Sequence, residues 1–182
     1  NRPAVLILAN FKGQKSPMDV VETARLLCEK MPEALFLWAG DGPLREQIEE
    51  KIEHYGLKQN FHLLGWHQDV ASLFAASNVL FLPSLHEGLP RVVLQAMAAG
   101  RPVVATAVNG TPEAVQQGRT GFLVPPHDTS GMAQGLEKLL SQPVLARKMG
   151  KAGQKSLHGS FLIDEMLRQI EVLYAKALKA GS

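Results

Sequence analysis

Residues 79–107 read VLFLPSLHEGLPRVVLQAMAAGRPVVATA. VLFLPS (79–84) at the front and PVVATA (102–107) at the back are nearly continuous in apolar residues rather than alternating. Strands of that kind are buried on both faces, as in a parallel sheet covered by helices. Between them, Arg91–Ala99 has the length and apolar spacing of a helix, and Leu89-Pro90 opens it. A helix joining two such strands is the crossover that a parallel pair requires.

The same pattern extends in both directions. Further apolar runs stand at VLILAN (5–10), LFLWAG (35–40), FHLLG (61–65) and GFLVPP (121–126). Helix-length segments lie between them at Asp19–Met31, Pro43–Tyr55, Ala71–Ala76 and Pro112–Gln117. Pro43 reads as a first helical residue. Thr111 reads as an N-cap, with Pro112 in the first turn and Glu113 complementing the helix dipole. The alternation predicts an α/β class fold: a Rossmann-like doubly wound parallel sheet of about six strands with helices on both faces.

After Pro126 the pattern is helical only, giving the fold its C-terminal helices at Gly131–Leu140, Val144–Lys155 and a longer segment capped by Ser160. That last helix carries Phe161, Ile163, Met166, Leu167, Ile170, Leu173, Tyr174 and Ala177 on a wide apolar face. Two readings of the face stay open: packing on the domain's own sheet, or docking in part on a second lobe.

At 182 residues the chain reads as a single domain spanning 1–182. Its hydrophobic share of 46% and charged share of 20% are those of a folded protein, not a disordered one. The net charge of +2 is too balanced to point to nucleic acid or a membrane surface. The apolar runs fall short of the roughly 20 residues of a membrane span. The lone Cys28 excludes an intrachain disulfide and fits a reducing compartment, so a cytoplasmic location is expected. The histidines, at 54, 62, 67, 86, 127 and 158, show no ligand spacing, and no metal site is expected. Asn1-Arg2-Pro3 leads straight into a strand-like run with no signal-peptide pattern. That abrupt start gives the expectation of a piece cut from a longer chain.

In an open α/β sheet, ligands sit beyond the carboxyl ends of the strands. Four loops should converge there: FKGQKSP (11–17), GDGP (40–43), GWHQD (65–69) and PSLHEGLP (83–90). The first holds Lys12 and Lys15 around Gly13, and can offer ammonium and backbone N–H groups to an anion. The plainer reading is two solvated lysines. The loop is neither GxxxxGK[ST] nor GxGxxG. GDGP reads as a tight turn before a helix. In the fourth loop Gly88 lets backbone approach a ligand, and the free N–H groups of the following helix point to the mouth. Glu87 has the wrong sign to hold an anion. It can accept from neutral hydroxyls, in which sugars are dense, or merely complement the helix N-terminus; both readings stay open. Ser84 and His86 share this loop, but without a G-x-S-x-G elbow they do not make a hydrolase.

The run LPSLHEGLPRVVLQAMAAGRPVVATAVNGTPEAVQQGRTGFLVPPHD (82–128) closely resembles the C-terminal half of GT-B-fold retaining glycosyltransferases of family four. The first loop ending in Lys15, the GDGP turn and the LLGW segment fall in the same order. This resemblance implies a lobe that binds a nucleoside-diphosphate sugar and, with an N-terminal lobe of the same parent chain, transfers the sugar to an acceptor hydroxyl with retention. It implies a place in polysaccharide or lipopolysaccharide biosynthesis. It implies Lys15 and Glu87 as the catalytic pair, with Lys15 on the diphosphate and Glu87 on the sugar hydroxyls. Gly88, Leu89 and Pro90 would face phosphate, and Gly65, Trp66 and His67 would lie near the base. Two positions depart from the family pattern: Asn10 stands for an arginine of the phosphate clamp, and Gln95 for a glutamate on the donor ribose. Lys12 could serve in the arginine's stead, as a point charge rather than a fork. No metal or other cofactor is implied, and membrane association would run through the N-terminal lobe. The isolated lobe should fold without turning over. Other readings are a non-catalytic nucleotide-sugar-binding relative or partner subunit, and a GT-B sugar-nucleotide epimerase.

Overall fold

All six apolar runs become strands of one parallel sheet: β1 (Ala4–Leu8), β2 (Leu35–Ala39), β3 (Phe61–Gly65), β4 (Val79–Leu82), β5 (Val103–Thr106) and β6 (Gly121–Val124), in the order β3-β2-β1-β4-β5-β6. The structure, a computed structural model, describes residues 2–157, 161 and 163–180. The helices are α1 (Pro17–Lys30), α2 (Arg45–His54), α3 (Val70–Ala76), α4 (Arg91–Ala98), α5 (Thr111–Ala114), α6 (Thr129–Ser141), α7 (Pro143–Ser156) and α8 (Ile163–Ala180).

Continuous apolar strands bury both faces because successive side chains point opposite ways. Val5 and Ile7 of β1, Val79 and Phe81 of β4 and Val104 of β5 join Val20, Ala24, Ile48, Met132 and Leu136 from α1, α2 and α6 in one core. Leu6, Leu80, Leu82, Val103 and Ala105 turn the other way, onto Phe74, Val93, Met97 and Ala114 from α3, α4 and α5. Chain order reverses between β1 and β4, so a crevice opens there at the carboxyl ends of the strands.

All the strands but β3 end earlier than their apolar runs do. β1 stops at Leu8, which releases Asn10 into a loop. Pro43 lies before α2, not in it, because the turn is pinned first: Phe11 N–H donates to the Asp41 carbonyl (3.1 Å) and Leu44 N–H to the Phe11 carbonyl (3.2 Å). Thr111 is the first residue of α5 rather than its cap, which is Gly110. That helix ends before Gln116 and Gln117, which are tied instead to the turn that leads into β6 and to β6 itself. Gln116 N–H donates to Thr120 Oγ1 (2.9 Å), and Gln117 Oε1 accepts from Leu123 N–H (2.7 Å). Asp69 and Asp128 cap α3 and α6 through Ser72 and Gly131 N–H. Of the apolar face expected of the long C-terminal helix, Phe161 packs against the domain's own core, but the residues of α8 itself do not. Ile163, Leu173 and Tyr174 of α8 are 68%, 67% and 68% exposed, and Met166, Leu167 and Ile170 are exposed as well. The expected Ser160 cap lies outside the described residues. Among these, no helix is long and apolar enough to cross a membrane.

Cys28 sits half-buried on α1, packed against the core, and burial pushes its thiol up to about 11. Thiolate is the reactive form, so alkylation at pH 8 should run roughly a hundredfold slower than for an unperturbed thiol. Timed iodoacetamide labelling read by mass spectrometry checks this. A rate equal to that of the urea-unfolded chain would show that α1 does not shield the sulfur.

Candidate functional site

The loop after β1 is placed from beneath by Trp38. Its indole is fully buried, meets Phe11 edge-on at 4.8 Å, and donates Nε1–H to the Ala9 carbonyl at 3.1 Å. Phe11 is buried too, so the chain dives into the core between Asn10 and Lys12 and emerges as a short 3-10 turn at Gly13–Lys15. Beside it Gly40, at φ 150°, passes so close to the Ala9 carbonyl that a Cβ would lie 2.1 Å from the oxygen. Only glycine is tolerated there. Its N–H donates to the Gly65 carbonyl (2.8 Å), joining the loops after β2 and β3.

The loops after β1 and β4 are laced together. Leu85 N–H donates to the Gln14 carbonyl (2.8 Å), and Gln14 Nε2 donates to the His86 carbonyl (2.8 Å). Lys15 Nζ lies 2.5 Å from Glu87 Oε1. These side chains are only 23% and 10% exposed, so water screens the pair weakly. Glu87 N–H reaches Asn109 Oδ1 at 3.4 Å, and Thr106 Oγ1–H donates to the Ser84 carbonyl, which ties the loop to β5 and its own loop.

Together the loops enclose a cavity of about 740 Å³ at the crevice. Asn10, Lys15, Trp66, His67, Glu87, Leu89, Pro90 and Gln95 all stand on its wall. Lys12, Gly65 and Gly88 do not. Lys12 is exposed beyond the loop, Gly65 ends β3 against Gly40, and the Gly88 carbonyl packs on Gly110. Trp66 is 78% exposed, a flat apolar surface at the rim. The loop bearing it is steadied by Asp69, whose carboxyl the Ser72 N–H holds below the usual carboxylate range. Among the described residues no group of three or more His, Cys, Asp or Glu side chains could hold a metal ion.

Sequence reasoning did not single out Gln14, Asn109 or Arg91. Gln14 and Asn109 act through contacts that span 72 and 22 residues of chain, for which no local signal exists. Arg91 lines the cavity as the first residue of α4. A signal for it was present: Arg91 precedes Gln95 by one helical step of four, so both fall on one face.

A larger cavity, about 990 Å³, opens among Arg2, Asn78, Arg101 and Pro102. It lies at the amino ends of the strands. Ligands of open α/β sheets gather at the carboxyl ends, and the part-buried Lys15–Glu87 ion pair is there also. The smaller cavity is therefore the candidate site. Its wall offers an ammonium with donors to spare, a carboxylate with an unpaired oxygen, free N–H groups at the start of α4, and an exposed indole. Such a set suits a phosphate flanked by hydroxyls on one side and a flat ring on the other.

The family model described as glycosyl transferases group 1 matches residues 1–156. N-acetyl-alpha-D-glucosaminyl L-malate synthase of Bacillus anthracis is 34% identical over 173 residues, covering 94% of this chain and 45% of that protein. The solved sucrose-phosphate synthase of Thermosynechococcus elongatus superposes with a TM-score of 0.87 at 29% identity, covering 99% of this chain and 46% of that one. TarM of S. aureus, solved with UDP, superposes with a TM-score of 0.90 over 95% of this chain and 35% of its own; at 22% identity this shows the fold alone. The chain thus spans less than half the length of curated relatives that it matches.

Proposed function

Since the chain belongs to the glycosyl transferases group 1 family, we propose that it is the donor-binding lobe of a retaining glycosyltransferase. Its ligand in this reading is a nucleoside-diphosphate sugar, held in the crevice between β1 and β4. The observation that carries the reading is the Lys15–Glu87 contact at 2.5 Å inside a loop-walled cavity. It sets an ammonium for the diphosphate beside a carboxylate for the sugar hydroxyls.

Cleavage of the sugar–phosphate bond leaves negative charge on the diphosphate and an oxocarbenium-like sugar. Cationic side chains and N–H groups already aimed at the leaving oxygen stabilise that charge without reorganising, so no metal is needed for it. With retention, the acceptor attacks from the face the diphosphate leaves, and the diphosphate takes its proton. No general base is then required from this lobe. The exposed indole of Trp66 is assigned to the base, and Gln95 to the ribose through its amide. The apolar face of α8 is assigned to the N-terminal lobe of the parent, which would also carry the acceptor. Such a reaction draws on cytoplasmic nucleotide sugars, and the isolated lobe binds without turning over.

Calorimetry of the chain with UDP, UDP-glucose, UDP-N-acetylglucosamine and GDP-mannose tests the reading. Binding of at least one sugar nucleotide is expected. Glu87→Ala should then weaken that sugar nucleotide about tenfold, for one lost charge-assisted bond, and the matching free diphosphate by much less. Equal losses for the two ligands would remove the sugar-hydroxyl role. No heat with any ligand would remove the donor reading.

A further inference from the structure

We propose that Arg91 supplies the net positive charge that the donor's diphosphate meets; this rests on the donor-site reading above. Three side chains with full charges stand on the cavity wall: Lys15, Glu87 and Arg91. Lys15 and Glu87 already answer one another at 2.5 Å, so as a pair they leave the wall neutral. Asn10 brings no charge, and Lys12 stands off the wall. The excess positive charge therefore rests on Arg91.

Three features of Arg91 fit an anionic ligand rather than a structural part. It is exposed, and among the described residues it makes no ion pair or side-chain hydrogen bond. It occupies the first position of α4, and no acidic residue shares that first turn. A cation there faces the positive end of the helix dipole, which is the unfavourable arrangement in the empty protein. A phosphate at the same point reverses the sign of that interaction, and it also receives the free N–H groups of the first turn. Finally, a guanidinium offers a planar fork to two phosphate oxygens at once, whereas the Lys15 ammonium is a point charge already shared with Glu87. Arg91 and Gln95, one turn apart on the same wall, would then hold neighbouring parts of the ligand: diphosphate above, sugar of the nucleoside below.

The test titrates the 182-residue chain and its Arg91→Gln and Arg91→Lys variants with UDP, uridine and inorganic pyrophosphate, at low and moderate salt. Arg91→Gln is expected to weaken UDP and pyrophosphate by about tenfold to a hundredfold, and to flatten their salt dependence. Uridine should change less than about twofold, and Arg91→Lys should recover part of the loss, because charge returns without the fork. Thermal stability of Arg91→Gln should equal or exceed that of the parent, since no contact within the fold is lost. If the parent chain binds pyrophosphate or UDP and Arg91→Gln leaves both affinities unchanged, the inference is wrong while the donor reading stands. An equal fall for uridine also overturns it, placing Arg91 on the nucleoside. A parent chain that binds none of the three overturns the donor reading and this inference together.

Discussion

Trp38→Ala is expected to cost about 3–5 kcal/mol of folding stability, the range for removing a large aromatic from a packed core. Against the roughly 5–15 kcal/mol that holds a typical domain together, this brings the chain close to unfolding at room temperature. The indole is wholly buried between Phe11 and Phe61, at centroid distances of 4.8 and 6.4 Å, and its N–H is bonded to the Ala9 carbonyl. Loss of the ring leaves a void under the loop that carries Asn10 and Lys15. Nucleotide affinity should therefore fall in the fraction that remains folded. Trp38→Phe separates packing from hydrogen bonding: it keeps most of the volume and should cost only about 1–2 kcal/mol. Urea denaturation followed by circular dichroism measures both. A loss under about 1 kcal/mol for the alanine variant would mean that the indole is not packed in the core between Phe11 and Phe61.

Lys15→Ala should reduce affinity for UDP by about 1.5–3 kcal/mol, the worth of a hydrogen bond to a charged group, and leave uridine almost unaffected. It should also destabilise the chain. Glu87 is only 10% exposed and would be left without its partner, and removing one half of a desolvated ion pair costs more than removing both. The partial exposure of Lys15 reduces that penalty to roughly 1–2 kcal/mol. The double variant Lys15→Ala with Glu87→Ala should regain most of the stability and none of the UDP affinity. Denaturation and calorimetry on the four proteins give the cycle. Additive stability losses would mean that the two side chains do not interact in solution.

The fold was largely legible in the sequence because apolar runs such as VLFLPS declare burial on both faces without reference to anything distant. Strand ends were not, since hydrophobicity continues past the last ladder bond: Ala9 and Phe11 are buried yet lie in the loop after β1. Pro43 misled for a similar reason, its local preference for a helix start yielding to the anchoring of the turn on Phe11. Of the site, the loop residues could be named from their types and spacing. Their pairing could not. The Lys15–Glu87 contact joins residues separated by 72 positions, and it changes the meaning of both, since a lysine read as free for phosphate turns out to share its charge. The apolar face of α8 was plain in the sequence, but periodicity reports that a face must be covered without saying by what.

That uncovered stripe bears on how the parent protein can be re-engineered. On the two-lobe reading proposed above, donor and acceptor preferences would reside in different lobes and invite chimaeras, made by splicing one relative's front half to another's back half. A junction placed at the edge of the sheet would leave α8 facing a foreign surface. If α8 docks on the second lobe as proposed, the seam that matters is not where the chain crosses between lobes but where this helix lies, and a splice that moves α8 together with its complement would keep the hydrophobic match.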